Sequence, residues 1–247
     1  MMKFLFPVFI LILSLNLSAD DKLPPIAIKQ IEQGVFLHKS YSEVQGFGIV
    51  SSNGLIVIEN NHAFIIDTPW SEKDTELLLA WIDNNNYQLL GSISTHSHED
   101  RTAGIALLKQ HNIPTYASAL TNNILKAKDK ETAEHVLNHQ ILEQQGSLLM
   151  NGALRAFYPG AGHSIDNIVV WLPKLKILYG GCLVKSLNSK TLGYTGEADI
   201  AQWPISIKKL QHNYPDIKYI VPGHGSIGDS QLLAHTITLT RSALQHH

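Results

Sequence analysis

His96 and His98 in "STHSHEDR" (94–101) stand two residues apart, and Asp100 and Arg101 follow at once. In an extended segment, residues at that spacing share a face, so both imidazoles can reach one ion. Zinc accepts histidine nitrogen at roughly 2.0–2.1 Å and favours four tetrahedral ligands. A third nitrogen is needed, and His163 in "YPGAGHSIDN" (158–167) is the best candidate. Gly160 and Gly162 let the backbone turn tightly before it. Three histidines with one open position describe a catalytic zinc rather than a structural one. Asp100, two beyond His98 across a turn, points away from that pair and can serve a second ion. Cys182 in "YGGCLVK" (179–185) and His224 in "VPGHG" (221–225) complete a set of carboxylate, thiolate and imidazole. Such a set suits zinc better than magnesium or calcium.

Each piece also has a plainer reading. "HSHED" alone fits a polar loop as readily as a metal site, and Cys182 alone fits a small buried residue. The other histidines carry no claim: His246 and His247 end the chain, and His38, His62, His111, His135, His139, His212 and His235 lie in polar or helical surroundings. Six ligand-type residues in consistent order near strand ends favour the metal.

The elements that must position them alternate in period. Strand-like runs cover 34–41 and 46–69, with Asn-Gly and Asn-Asn turns that predict a β-meander. A helix is expected over 71–86, capped by Ser71 with Asp74 three residues on, and with Leu77, Leu78 and Trp81 as its apolar face. A strand over 87–95 ends at His96. A helix over 102–112, a strand over 114–118 and a helix over 119–128 follow. The second half repeats the theme, with strands over 153–160, 167–173 and 176–181, a helix over 203–214, a strand and loop over 217–225, and a helix over 229–243. His96, His163, Cys182 and His224 each come directly after a strand-like run, where a rigid sheet presents ligands. Two βα halves are predicted, sheets inside and helices outside. No linker interrupts them, so 20–247 reads as one domain.

The first 19 residues read as a cleaved signal peptide: basic Lys3, an apolar run from Phe4 to Leu17, then Leu17-Ser18-Ala19. An apolar run of roughly 14 residues is short for a membrane span of about 20. The mature chain is therefore expected to be soluble and exported, free of the membrane, in the periplasm of a Gram-negative bacterium. A net charge of −2 becomes −3 without Lys3, and no basic run argues for nucleic acid. One cysteine allows no internal disulfide. No apolar stripe marks an interface, so a monomer is expected.

Taken together, "HSHEDR", "GAGHSIDN", "GGCLVK" and "PGHG" resemble the subclass B1 metallo-β-lactamases, and the likeness runs from about Gly34 to the last helix. The resemblance implies an αββα sandwich with two zinc ions at the edge of its two sheets. It implies His96, His98 and His163 as ligands of the first zinc, and Asp100, Cys182 and His224 as ligands of the second. Arg101 stands where hydrolase relatives acting on thioesters or lactones carry a metal-binding histidine. A guanidinium cannot ligate zinc, so Arg101 is expected to hold Asp100 or balance the thiolate. Asp67 in "IIDTPW" is expected to support the metal loop. Lys185 matches the family lysine that binds the β-lactam carboxylate, and Phe47 in "VQGFG" matches the tip of a flap over bound substrate.

Two residues depart from the family pattern. Tyr194 in "LGYTGEAD" replaces a common asparagine at the substrate carbonyl, and Ser97 is small where a bulky residue is usual. The implied activity is hydrolysis of penicillins, cephalosporins and carbapenems by a metal-bound hydroxide, since zinc lowers the pKa of bound water to about 7. Two alternatives are a dinuclear zinc hydrolase of thioesters or lactones and a non-catalytic zinc-binding periplasmic protein.

Overall fold

The computed structural model describes residues 23–245, so the expected signal peptide, His246 and His247 lie outside the described residues. Strands β1 (Ala27–Glu32), β2 (Val35–Val44), β3 (Gly48–Glu59) and β4 (His62–Ile66) form an antiparallel meander. It continues in parallel through β5 (Gln88–Ser94), β6 (Thr115–Ser118) and β7 (His135–Leu137), giving seven strands in chain order. A second sheet holds β8 (Ser147–Leu149), β9 (Leu154–Phe157), β10 (Val169–Leu172), β11 (Ile177–Gly181) and β12 (Tyr219–Pro222), with only the last pair parallel. The helices are α1 (Glu72–Asn84), α2 (Glu99–Thr102), α3 (Ile105–Gln110), α4 (Ala119–Ala127), α5 (His139–Gln144), α6 (Trp203–Asn213) and α7 (Gln231–Gln245). Among the described residues, no helix is long and apolar enough to cross a membrane.

Side chains alternate across each strand, so one sequence feeds two cores. Leu55, Val57, Phe64 and Ile66 face the other sheet and meet Leu154, Val170, Leu172 and Tyr179. Ile56, Ala63 and Ile65, one residue out of step, meet Leu78 and Ile82 of α1 and Leu108 of α3. On the far side, Val169, Trp171, Leu178 and Ile220 meet Trp203, Ile207 and Leu210 of α6 and Leu232, Leu233 and Ile237 of α7. Three cores separate four layers, helix–sheet–sheet–helix, the sandwich that the resemblance implied.

Several expectations need correction. Asn53-Gly54 is not a turn but the middle of β3, whereas Asn60 and Asn61, at φ +49° and +65°, do turn the chain. The glycine is there for space: a Cβ on Gly54 would lie 2.2 Å from His38 Nε2. Ser71 caps α1 through the Asp74 amide as expected, but Leu77 is 48% exposed, and Thr75, Leu78 and Ile82 are its buried residues. The helix expected over 102–112 begins at Glu99 and breaks at Gly104, where a Cβ would strike Thr75 Oγ1 at 2.6 Å. Strands β1, β7 and β8 and helix α5 were not foreseen. All four are only three to six residues long with mostly exposed or half-buried side chains, which leaves little periodicity to read.

Candidate metal centre and substrate groove

The chain leaves β5 at Ser94, and two buried carboxylates fix the segment that follows. Asp67, just after β4 and in the left-handed region at φ +60°, accepts from the Thr95 amide at 2.7 Å and the Thr95 hydroxyl at 2.8 Å. Asp166 accepts from the Ser97 amide at 2.8 Å, between the two histidines. His98 then stands at the N-cap of α2 with extended dihedrals, which puts Asp100 in the first helical turn. His163 does not follow its strand directly; it lies in the loop between β9 and β10. Cys182 comes immediately after β11, and His224 lies in the loop after β12. The backbone must pass close here, because a Cβ on Gly223 would lie 2.7 Å from both Cys182 Sγ and Arg101 Nη2.

Six side chains from both sheets thus meet at one edge of the sandwich. The donor atoms of His96, His98 and His163 lie within 4.8 Å of one another, and so do those of His96, Asp100 and Cys182. Asp100 therefore does not face away from the first pair, since His96 borders both groups. His98 Nδ1 is 3.0 Å from His96 Nε2 and 3.1 Å from His163 Nε2. His224 Nε2 is 3.2 Å from Asp100 Oδ2 and 3.3 Å from Cys182 Sγ.

The donor chemistry fits metal ions. His98 Nε2 lies 2.8 Å from Glu197 Oε2, which places the proton on that nitrogen and leaves Nδ1 as a lone pair at the meeting point. Burial, and then neighbouring charges, hold His96 and His163 well below the usual imidazole pKa, so both rings are neutral. Neutral imidazole is the form that ligates a metal. Burial alone would raise the Asp100 pKa, but Arg101 and then His224 hold it well below the usual carboxylate range. Burial opposes charge on His224, yet the Cys182 sulfur and Asp100 outweigh it and push its pKa up to about 9. The three groups together thus favour a positive charge between them, the charge that a metal cation would supply.

Behind the second group lies Arg101, fully buried. Its Nη2 donates to Asp100 at 2.6 Å, to the Gly223 carbonyl at 3.1 Å and to Cys182 at 3.0 Å. Its Nη1 donates to the Asn53 carbonyl at 2.6 Å, to Tyr179 at 2.9 Å and to Asp67 at 3.3 Å. Asp67 supports the metal loop as expected: it ties Thr95, Tyr179 and Arg101 together, and burial pushes its pKa up to about 6 against the pull of Arg101.

The donors open into a groove of about 720 Å³. Phe47 and Tyr194 both line it, 56% and 51% exposed. Phe47 sits at the β2–β3 hairpin between Gly46 and Gly48, each in the left-handed region. The Tyr194 ring packs edge-on to His98 with centroids 5.8 Å apart. Lys185 is half-buried, its backbone amide donates to Thr236 Oγ1, and its ammonium lies 5.3 Å from the Trp203 ring centre. Burial lowers its pKa. Ser97 also lines the groove, with its backbone pinned by Asp166.

Sequence reasoning missed four contributors. Glu197 and Asp166 lie inside the quoted stretches "LGYTGEAD" and "GAGHSIDN", but nothing local says which backbone or ring they reach. Asn53 ties β3 to the Pro222 and Gly225 carbonyls of the His224 loop at 2.9 Å each. His38, set aside with the uninvolved histidines, is buried with Nε2 at 2.9 Å from the Asp67 carbonyl.

Comparison with known proteins agrees with this geometry. The family model described as the metallo-beta-lactamase superfamily matches residues 47–224. A metallo-beta-lactamase type 2 of Pseudomonas aeruginosa is 42% identical over 89% of this chain and 86% of its own length. The crystal structure of the metallo-beta-lactamase DIM-1, exposed to ceftazidime, superposes with a TM-score of 0.87 at 53% identity, over 90% of this chain and all of that one. The FIM-1 enzyme of Pseudomonas aeruginosa, in its mono-zinc form, gives a TM-score of 0.83 at 34% identity over 89% and 96% of the two chains. With its four layers, its histidine, aspartate and cysteine donors and these matches, the chain belongs to the metallo-β-lactamases, in their B1 branch.

Proposed function

We propose that this protein hydrolyses the amide bond of β-lactam antibiotics, penicillins, cephalosporins and carbapenems among them, and so confers resistance to them. The observation that carries the reading is the pair of adjoining donor groups sharing His96 at the floor of a substrate-sized groove. His96, His98 and His163 would hold one zinc, and Asp100, Cys182 and His224 a second. Thiolate, imidazole and carboxylate together favour zinc, and the FIM-1 relative was solved with one. Zinc in such a site supplies Lewis acidity and a water ionised near neutral pH.

The chain's own residues do the rest. Lys185 meets the ring carboxylate with a point charge on a braced backbone. Phe47 covers the apolar face of the bound drug from the hairpin, and Tyr194 walls the groove beside His98. Glu197 fixes the tautomer and orientation of His98. Arg101 keeps Asp100 ionised and placed, and Asp67 holds the loop that bears His96. Periplasmic export, the two-zinc count and a monomeric state belong to the same reading.

The test is a kcat/KM panel on the zinc-loaded protein with a penicillin, a cephalosporin, a carbapenem, a thioester and a lactone. Ring opening of the lactams well above cleavage of the last two is expected. Turnover of only the thioester or lactone would overturn the reading.

A further inference from the structure

The groove holds more cationic charge than the reaction above uses. Its rim acids are already satisfied: Glu99 accepts from Lys130 at 2.8 Å and Glu197 from Lys128 at 2.6 Å. Asp100, deeper, is taken by Arg101. Lys185 and Lys190 also line the groove, yet neither makes an ion pair among the described residues. They lie five residues apart on one segment, Lys185 half-buried and Lys190 exposed. That segment is held from behind by α7, through Thr236 to the Lys185 amide and through His235, whose Nε2 is 3.0 Å from the Ser189 carbonyl. The root of Lys190 is therefore fixed, and its ammonium samples a limited part of the rim.

We propose that Lys190 is a second anion-binding position in the substrate groove, one that selects β-lactams with an acidic group on the arm adjacent to the ring carboxylate. The inference rests on the lactam-hydrolase reading. If Lys185 takes the ring carboxylate, the ring that bears it lies along this wall, and its neighbouring arm is the part of the substrate nearest Lys190. A groove of this size takes a whole drug-sized molecule, so the arm as well as the nucleus lies between its walls. Two cations five residues apart, neither in an ion pair among the described residues, match a dianion better than a monoanion. Because Lys190 is exposed, its contribution is modest and screened by salt.

The test uses the zinc-loaded mature protein and a matched pair of cephalosporins, one with an N-methyltetrazolylthio arm and the other with its N-carboxymethyl counterpart. In Lys190→Met, KM for the acidic cephalosporin should rise about 1.5- to fivefold, the range of an exposed ion pair. Its kcat, and both constants for the neutral cephalosporin, should stay unchanged. Lys190→Arg should restore the wild-type KM, and high salt should erase the difference. If Lys190→Met leaves the acidic substrate unaffected, or weakens both substrates alike, Lys190 has no such role while the hydrolase reading stands. A wild-type protein that opens neither cephalosporin would overturn the hydrolase reading and this inference with it.

Discussion

At the scale of single residues, Arg101 links the metal donors to the sheet beneath them. One terminal nitrogen serves Asp100, Cys182 and Gly223, and the other serves Asn53, Asp67 and Tyr179. A lysine has a point charge on a flexible stem and cannot span both sets. Arg101→Lys should therefore weaken zinc at the Asp100–Cys182–His224 position by about 10–100-fold, with less effect at the three-histidine position. Competition with a chromophoric chelator would measure it, and an unchanged affinity would remove Arg101 from the account.

His38 gives a second prediction, this one about pH. Burial lowers its pKa to about 4 from an ordinary 6.5, against the hydrogen bond to the Asp67 carbonyl. The unfolded chain then binds a proton that the folded chain refuses. Stability from this group is full above pH 6.5 and is lost as the pH falls toward 4, by about 3 kcal/mol in all. In His38→Gln that portion of the decline should vanish, seen as a flatter curve of melting temperature between pH 6.5 and 4 than in wild type. Equal slopes would contradict it.

At the scale of elements, the central question is why β3 runs unbroken through a dipeptide that usually makes a hairpin. Gly54 leaves room for the His38 ring, and Asn53 spends its side chain on the loop of His224. Gly54→Ala would push a methyl group into His38 and the Asp67 carbonyl, 2.8 Å away, and should cost about 1–3 kcal/mol. Denaturant unfolding would show it as a lower midpoint at unchanged slope, and a loss within error of zero would mean that the ring has somewhere else to go.

The same pair shows what sequence alone can disclose. Apolar runs closed by turn residues, such as β3 and β4 around Asn60 and Asn61, and a helix with a capping serine, such as α1, were legible because the run, the turn and the cap are local. The six donors were legible through their types and order. The role of Asn53, the reach of Glu197 to His98 and the anchoring of Ser97 by Asp166 were not, because each is a contact between residues 69 to 172 positions apart. Nothing near Asn53 or Gly54 distinguishes them from a turn. The edge strands β7 and β8 stayed hidden for a different reason: Val136 and Leu148 are apolar yet exposed, so the alternation that reports a buried face is missing.

At the scale of the whole molecule, the donors are gathered from both halves of the chain. His96, His98 and Asp100 hang from the seven-stranded sheet, and His163, Cys182 and His224 from the five-stranded one. Neither sheet owns a complete donor group, so the site exists only when the two pack through their shared core of Leu55, Phe64, Val170 and Tyr179. A ligand that binds only the folded state stabilises it, by about 4 kcal/mol at a thousandfold excess over its dissociation constant. Activity and stability should therefore rise together as metal is restored. The most direct measurement is carbapenem ring opening by metal-stripped protein, titrated with zinc while the melting temperature is followed in the same samples. Turnover should be absent at the start, return with zinc and level off with the melting temperature. A protein that takes up zinc and gains stability yet leaves the carbapenem intact would contradict the account, keeping the metal site and losing the reaction.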